Sequence, residues 1–186
     1  MTDNVKTAVL GGGCFWCTEA VFSRLRGVLK VTPGYAGGNI DKPTYQQVCG
    51  GTTGHAEVNR IEYDPSVISY NDLLDVFFHV HDPTTLNQQG NDFGEQYRSI
   101  ILYADDEQKV QAESFITELK SSGEFKRTIV TEVKPLTVFY EAEGYHQNYY
   151  ENNSRQPYCQ AVIAPKLGKF RKSYLKLIKP SENHGS

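Results

Sequence analysis

The chain has no apolar run that approaches the roughly 20 residues of a membrane-spanning helix. Its first residues, Met1-Thr2-Asp3-Asn4, lack the charged-then-apolar layout of a secretory leader. The simplest expected home is therefore the cytoplasm. Positive charge is not in excess either: 19 Lys and Arg stand against 22 Asp and Glu, a net charge of −3, so the overall field recruits neither nucleic acid nor an anionic membrane. Four cysteines (Cys14, Cys17, Cys49, Cys159) are too few to staple a scaffold, and a chain of 186 residues buries a core without one. Repeats, low-complexity tracts and linkers are also missing. The expectation is a single domain over residues 1–186, ordered from about 7 to 178, with a disordered tail from Pro180 onward.

What is present is concentrated in Gly11-Gly12-Gly13-Cys14-Phe15-Trp16-Cys17-Thr18-Glu19, which holds two cysteines and the only tryptophan. Val5 to Leu10 suits a buried strand, and Ala20, Val21, Phe22 and Leu25 recur at helical spacing. The cysteines thus fall where a strand turns into a helix. First-turn amide N–H groups carry partial positive charge and favour a thiolate, which makes Cys14 a candidate nucleophile. The three glycines are expected to allow a sharp turn and to leave room for a substrate at the sulfur. A buried core cysteine is the dull alternative, but a Cys-x-x-Cys at such a junction points to redox chemistry or metal binding.

Farther along, Val28 to Thr32 reads as a strand ending at Pro33-Gly34, and Gly37 to Gly54 as a long ordered loop. His55 to Tyr63 is strand-like up to Asp64-Pro65. Ser69 with Asp72 forms a capping-box pattern ahead of a helix whose apolar face is Leu73, Val76, Phe77 and Val80. A second polar loop fills Asp82 to Gln96. Then come a strand at Ser99–Tyr103, a helix from Asp106 to about Ser121, and strands at Ile129–Val133 and Leu136–Tyr140. Gly144 to Asn152 suits a short helix and Gln160–Ile163 a strand, while Leu167, Phe170, Tyr174, Leu177 and Ile178 mark a last amphipathic helix, basic outside. This irregular alternation predicts an α+β fold with helices packed on a mixed sheet.

Three clusters lie outside the opening stretch: Tyr45 and Cys49; Glu57 in Thr53-Gly54-His55-Ala56-Glu57; and Asp92 with Tyr97 in Gly90-Asn91-Asp92-Phe93-Gly94-Glu95-Gln96-Tyr97-Arg98. Each alone is explicable as an anchor, an exposed carboxylate or a turn. Together with Gly13-Cys14-Phe15-Trp16, Gly34-Tyr35-Ala36-Gly37-Gly38 and Tyr140-Glu141-Ala142-Glu143 leading to Tyr145-His146-Gln147, they resemble the peptide methionine sulfoxide reductases of the A class, in order and from about Thr7 to Ile178.

The resemblance implies a two-layer, ferredoxin-like α/β sandwich with long functional loops. It also implies reduction of the S epimer of methionine sulfoxide, free or in proteins, with thioredoxin as electron donor and no cofactor. Cys14 matches the family's nucleophile, Glu57 its acid, and Tyr45 and Tyr97 its hydroxyl donors to the sulfoxide oxygen. Phe15 and Trp16 would hold the methyl group, and Asp92 would support the site or touch the substrate backbone. Donation requires a protonated Glu57, which aromatic walls would favour by desolvation. Cys14 would end as a sulfenic acid and need a second thiol to close a disulfide. The commoner pattern has Gly after Trp; this chain has Cys17, as one subgroup does, and Cys17 is the favoured resolver with Cys159 the alternative. Cys49 reads as structural, and Gln88 replaces an Arg common in the family.

Two other classes stand beside this one. A general dithiol-disulfide oxidoreductase explains Cys14 and Cys17 but gives no task to Glu57, Tyr45 and Tyr97. A zinc module usually draws on two close ligand pairs, and only one exists here. A monomer is the default.

Overall fold

A computed structural model describes residues 4–180. The expected tail falls almost wholly on 181–186, outside the described residues. Six strands form one mixed sheet in the order β7 (Glu132–Pro135), β6 (Ile100–Tyr103), β1 (Lys6–Gly11), β3 (Ala56–Tyr63), β2 (Val28–Ala36), β8 (Phe139–Glu141). Only β6 and β7 run parallel; the other neighbours are antiparallel. A two-stranded ribbon, β4 (Gln88–Gln89) with β5 (Asp92–Phe93), stands apart within the second polar loop.

The two-residue alternation of the strands assigns the faces. Ala8 and Leu10 of β1 and Ile61 and Tyr63 of β3 join one large core with four helices: α1 (Phe15–Phe22), α3 (Tyr70–Val80), α4 (Asp106–Ser122) and α6 (Ala164–Ser173). Val9, Ala56, Val58, Ile100 and Leu102 face the other way into a small cluster against which Leu136 and Phe139 pack. The result is an α+β sandwich with its helices on one side. Local signals place the helices. Ser69 and Asp72 form the expected capping box of α3, and Gly123 closes α4 in the left-handed region at φ 71°. Within the first polar loop α2 (Tyr45–Cys49) has a capping box of its own, from Thr44 and Gln47. A short α5 (Tyr149–Asn153) completes the set.

Four expectations fail. β2 does not stop at Pro33-Gly34 but continues to Ala36, because Pro33 meets its neighbours through its carbonyl, which accepts from Ala142 N–H at 2.9 Å, and needs no N–H of its own. The strands around Pro135 are displaced, to Glu132–Pro135 and Phe139–Glu141. Gln160–Ile163 is no strand: Cys159–Ile163 is a π-helical turn running straight into α6, and its apolar residues pack Cys159 and Ile163 into the core. The final helix then ends at Ser173, with Tyr174, Leu177 and Ile178 packed on the core beyond it.

Gly34 shows how tightly β8 lies on β2. A Cβ there would sit 2.3 Å from Phe139 Cζ and 2.5 Å from the Tyr140 carbonyl oxygen, whereas one at Gly144 would meet nothing within 4 Å. Gly34→Ala should lower stability in urea unfolding by about 1–3 kcal/mol, with Gly144→Ala close to wild type; equal stability of the two variants would show that β8 shifts freely.

Candidate active site

Cys14 occupies the N-cap of α1, where β1 gives way to the helix. Gly13, at φ 90°, makes the turn. The space beside the glycines is filled by protein and not left for a ligand. Cβ atoms on Gly11, Gly12 and Gly13 would meet the Glu57 carbonyl, the His81 ring and the Gln89 side chain respectively, each within 3 Å.

The even spacing of β3 aims Glu57 and Asn59 at α1 from the same face as Ile61. Phe15 N–H donates to Glu57 Oε2 at 3.0 Å. The Asn59 amide donates to the Phe15 carbonyl at 3.0 Å and to Thr18 Oγ1 at 2.6 Å. Glu57 is 2% exposed. Burial, with the nearby charges of Asp92 and Cys17 adding to it and the Phe15 N–H opposing, pushes its carboxyl up to about 8. At neutral pH Glu57 is therefore a neutral acid.

The helix N-terminus does not make Cys14 acidic, contrary to expectation. The Trp16 N–H favours its thiolate, but burial, a hydrogen bond shared with Cys17 and the negative charges of Glu57 and Cys17 hold it well above the ordinary thiol range. Cys17 moves the other way, down to about 7. The Cys14 thiol donates to it, and the Lys166 charge assists against burial; the Tyr158 hydroxyl lies 3.6 Å away. The same Tyr158 hydroxyl donates to Asp92 Oδ2 at 2.7 Å, so Asp92, Tyr158 and Cys17 form a chain. Cys159 is fully buried in the large core. Cys49 is not a core residue; it is exposed at the end of α2, beside Tyr45.

Tyr45 and Tyr97 are half-buried and approach from α2 and from the 3-10 turn after β5. Burial first raises both phenols, followed by the neighbouring Cys49 for Tyr45 and by the charge of Glu57 for Tyr97. Trp16 is half-buried and stacks on Tyr149 with ring centroids 3.7 Å apart and planes at 7°. Its indole N–H donates to His146 Nδ1 at 3.0 Å, which leaves the imidazole proton on Nε2; burial lowers the His146 pKa. Phe15, by contrast, is 1% exposed and packs behind the site against Tyr35 and His146.

Five of these residues had no task assigned from the sequence: Glu19 and His146, which lie inside quoted stretches, and Asn59, Tyr149 and Tyr158. Asn59 was findable from its shared strand face with Glu57. Glu19 was findable as the single acid in the apolar run Cys17–Phe22. Its carboxylate accepts the backbone N–H groups of Asn148 at 2.6 Å and Tyr149 at 3.2 Å, and burial raises it to about 7.

The family model for peptide methionine sulfoxide reductase matches residues 6–178. The chain belongs to that family. A peptide methionine sulfoxide reductase MsrA of Saccharolobus solfataricus is 53% identical over 178 residues, 96% of this chain and 99% of its own. That of Nautilia profundicola is 59% identical over 165 residues, 89% and 94% of the two chains. Among solved structures, reduced Mxr1 of Saccharomyces cerevisiae superposes with a TM-score of 0.77 at 36% identity, covering 84% of this chain and 90% of that one. Mxr1 in complex with Trx2 superposes at 0.56 with 25% identity, over 80% and 87%.

Trp16 is the only tryptophan, so its fluorescence reports the site alone. Glu19→Gln should loosen the turn at Asn148-Tyr149 and shift Trp16 emission towards that of a more solvated indole. An unchanged spectrum would mean that the stack on Tyr149 holds without the clamp.

Proposed function

We propose that this protein reduces methionine S-sulfoxide, free or in proteins, to methionine, and that thioredoxin returns it to the dithiol state. The observation that supports this most directly is a carboxylic acid, Glu57, kept neutral at pH 7 by burial and held against the helix that begins beside Cys14. A general disulfide exchanger gives no task to the two tyrosines, Tyr45 and Tyr97, that accompany this acid. Nor is a metal centre favoured, since among the described residues no three His, Cys, Asp or Glu side chains gather as metal ligands would. Mxr1, a relative, is solved with Trx2, which supports thioredoxin as the donor here.

Cys14 attacks the sulfoxide sulfur while Glu57 delivers a proton to the oxygen, and the oxygen then passes to the Cys14 sulfur as the methionine S–O bond and the transient S–S bond break. The proton that Cys14 gives up restores Glu57. The methionine sulfur gains two electrons and leaves as the thioether, and Cys14 loses two and keeps the oxygen as a sulfenic acid. Tyr45 and Tyr97, both still protonated, donate to the oxygen as charge develops on it. Trp16, fixed by His146 and Tyr149, receives the methyl group, with Phe15 as the buried support behind it. Asp92 borders the site through Tyr158. Cys17 then displaces hydroxide from the Cys14 sulfur, which leaves as water, and a Cys14–Cys17 disulfide remains. Cys17 suits this task because it sits one turn from Cys14 at the start of α1, its N–H on the Cys14 carbonyl at 3.1 Å, whereas Cys159 is fixed in the core by the π-helical turn. A monomer in the reducing cytoplasm belongs to the same proposal.

Because the acid form of Glu57 is the active one, the single-turnover rate of methionine release should fall as pH rises through about 8. Glu57→Gln should be slower by about 10²- to 10³-fold and lose that limb; a wild-type rate in this variant would place the proton source elsewhere.

Cys14→Ser should release no methionine. Cys17→Ser should release about one per chain and then stop with thioredoxin, while Cys159→Ser should cycle normally. Normal cycling by Cys17→Ser would transfer the resolving role to Cys159.

A further inference from the structure

The two thiols are nearly closed to solvent, Cys14 at 8% and Cys17 at 2% exposed. A groove of about 550 Å³ nonetheless reaches both. Its walls are the end of α3 with Asp82, the Asn91-Asp92 ribbon, and one side of the π-helical turn and α6, with Val162, Lys166 and Lys169. None of the groups that handle a sulfoxide in the mechanism above, Glu57, Tyr45, Tyr97 or Trp16, lines this groove. The thiol pair therefore has two sides, one furnished with Glu57 and the Tyr45 and Tyr97 hydroxyls, and one bordered by Asp92, Tyr158 and the lysines of α6.

The charge of the groove is just as uneven. Asp82 is paired with Arg127 at 2.7 Å, and Asp92 accepts the Tyr158 hydroxyl. His79, also on the wall, is held by Glu124 at 2.6 Å. Lys166 and Lys169 form none of the ion pairs found among the described residues. They belong to a stretch, Asn152 to Pro180, with seven basic residues and no acidic one, in a chain of net charge −3. A disulfide needs from its reductant only an approach to sulfur, and such a wall attracts an anionic partner.

We infer that this groove is the docking site of the protein reductant, and that the cationic wall of α6 selects a dithiol protein whose reactive thiol lies within an acidic rim. The inference rests on the proposed reductase activity. On docking, the partner's thiolate attacks one sulfur of the Cys14–Cys17 disulfide and releases the other as a thiolate. The partner's second thiol then breaks the mixed disulfide. Two electrons pass to this protein, the partner leaves oxidised, and its two thiol protons end on Cys14 and Cys17.

The test compares two reductants on one substrate, free methionine sulfoxide: thioredoxin with its reductase and NADPH, and dithiothreitol, which is small and uncharged. Lys169→Glu and Val162→Glu, both at exposed positions, should each raise the KM for thioredoxin by about 5- to 10-fold. Turnover with dithiothreitol should stay at the wild-type level. Lys172→Glu, on α6 but outside the groove, should change neither. For the wild type, kcat/KM for thioredoxin should fall with rising ionic strength and that for dithiothreitol should not. An unchanged KM for thioredoxin in both variants overturns the inference. So does a raised KM for an oxidised peptide under dithiothreitol, since the groove would then serve the substrate. A wild-type protein inactive with dithiothreitol would instead overturn the reductase activity itself.

Discussion

The hydrogen bond from Phe15 N–H to Glu57 Oε2 joins the first turn of α1 to β3, and Asn59 doubles the link through the Phe15 carbonyl. The site depends on this junction. It seats Cys14 and a carboxyl together at the edge of the main core, where water is excluded. Desolvation then acts on both groups in the same direction, towards their neutral forms. The resting site is thus an acid facing a thiol, with the one readily ionised sulfur at Cys17. A helix N-terminus in water would have favoured the Cys14 thiolate, but burial beside Glu57 outweighs the Trp16 N–H.

The junction is completed by a segment far away in the chain. Residues 143–159 close over α1 from its open side, with His146 on the indole nitrogen, Tyr149 on the indole face and Tyr158 at the Cys17 sulfur. Glu19 fastens this segment to the same helix through two backbone N–H groups. Helix α1 therefore carries the thiols on one turn and the anchor for their cover on the next. That arrangement also gives the thiol pair its two sides. β3, His146 and Tyr149 furnish one; Tyr158, α6 and the ribbon border the other.

Much of this was legible in the residues. Strand alternation, apolar helix faces and capping boxes act over a few residues, so the position of Cys14 between β1 and α1, the extents of α3 and α4, and the side of β3 that bears Glu57 follow from the chain alone. The family pattern, carried by Cys14, Tyr45, Glu57, Asp92 and Tyr97 in order, was equally a property of the sequence. What tertiary structure decided are sums over distant segments. Pro33 remains within β2 because it bonds through its carbonyl, to Ala142 just past β8, and needs no N–H there, and Cys159–Ile163, apolar enough for a strand, became a π-helical turn because that packs Cys159 and Ile163 on the core. The glycines before Cys14 were legible as a turn, but only the fold showed their faces filled by Gln89 and His81. The ionisation of Cys14, Cys17 and Glu57 was likewise beyond the sequence, since desolvation depends on everything packed around a group and not on its neighbours in the chain.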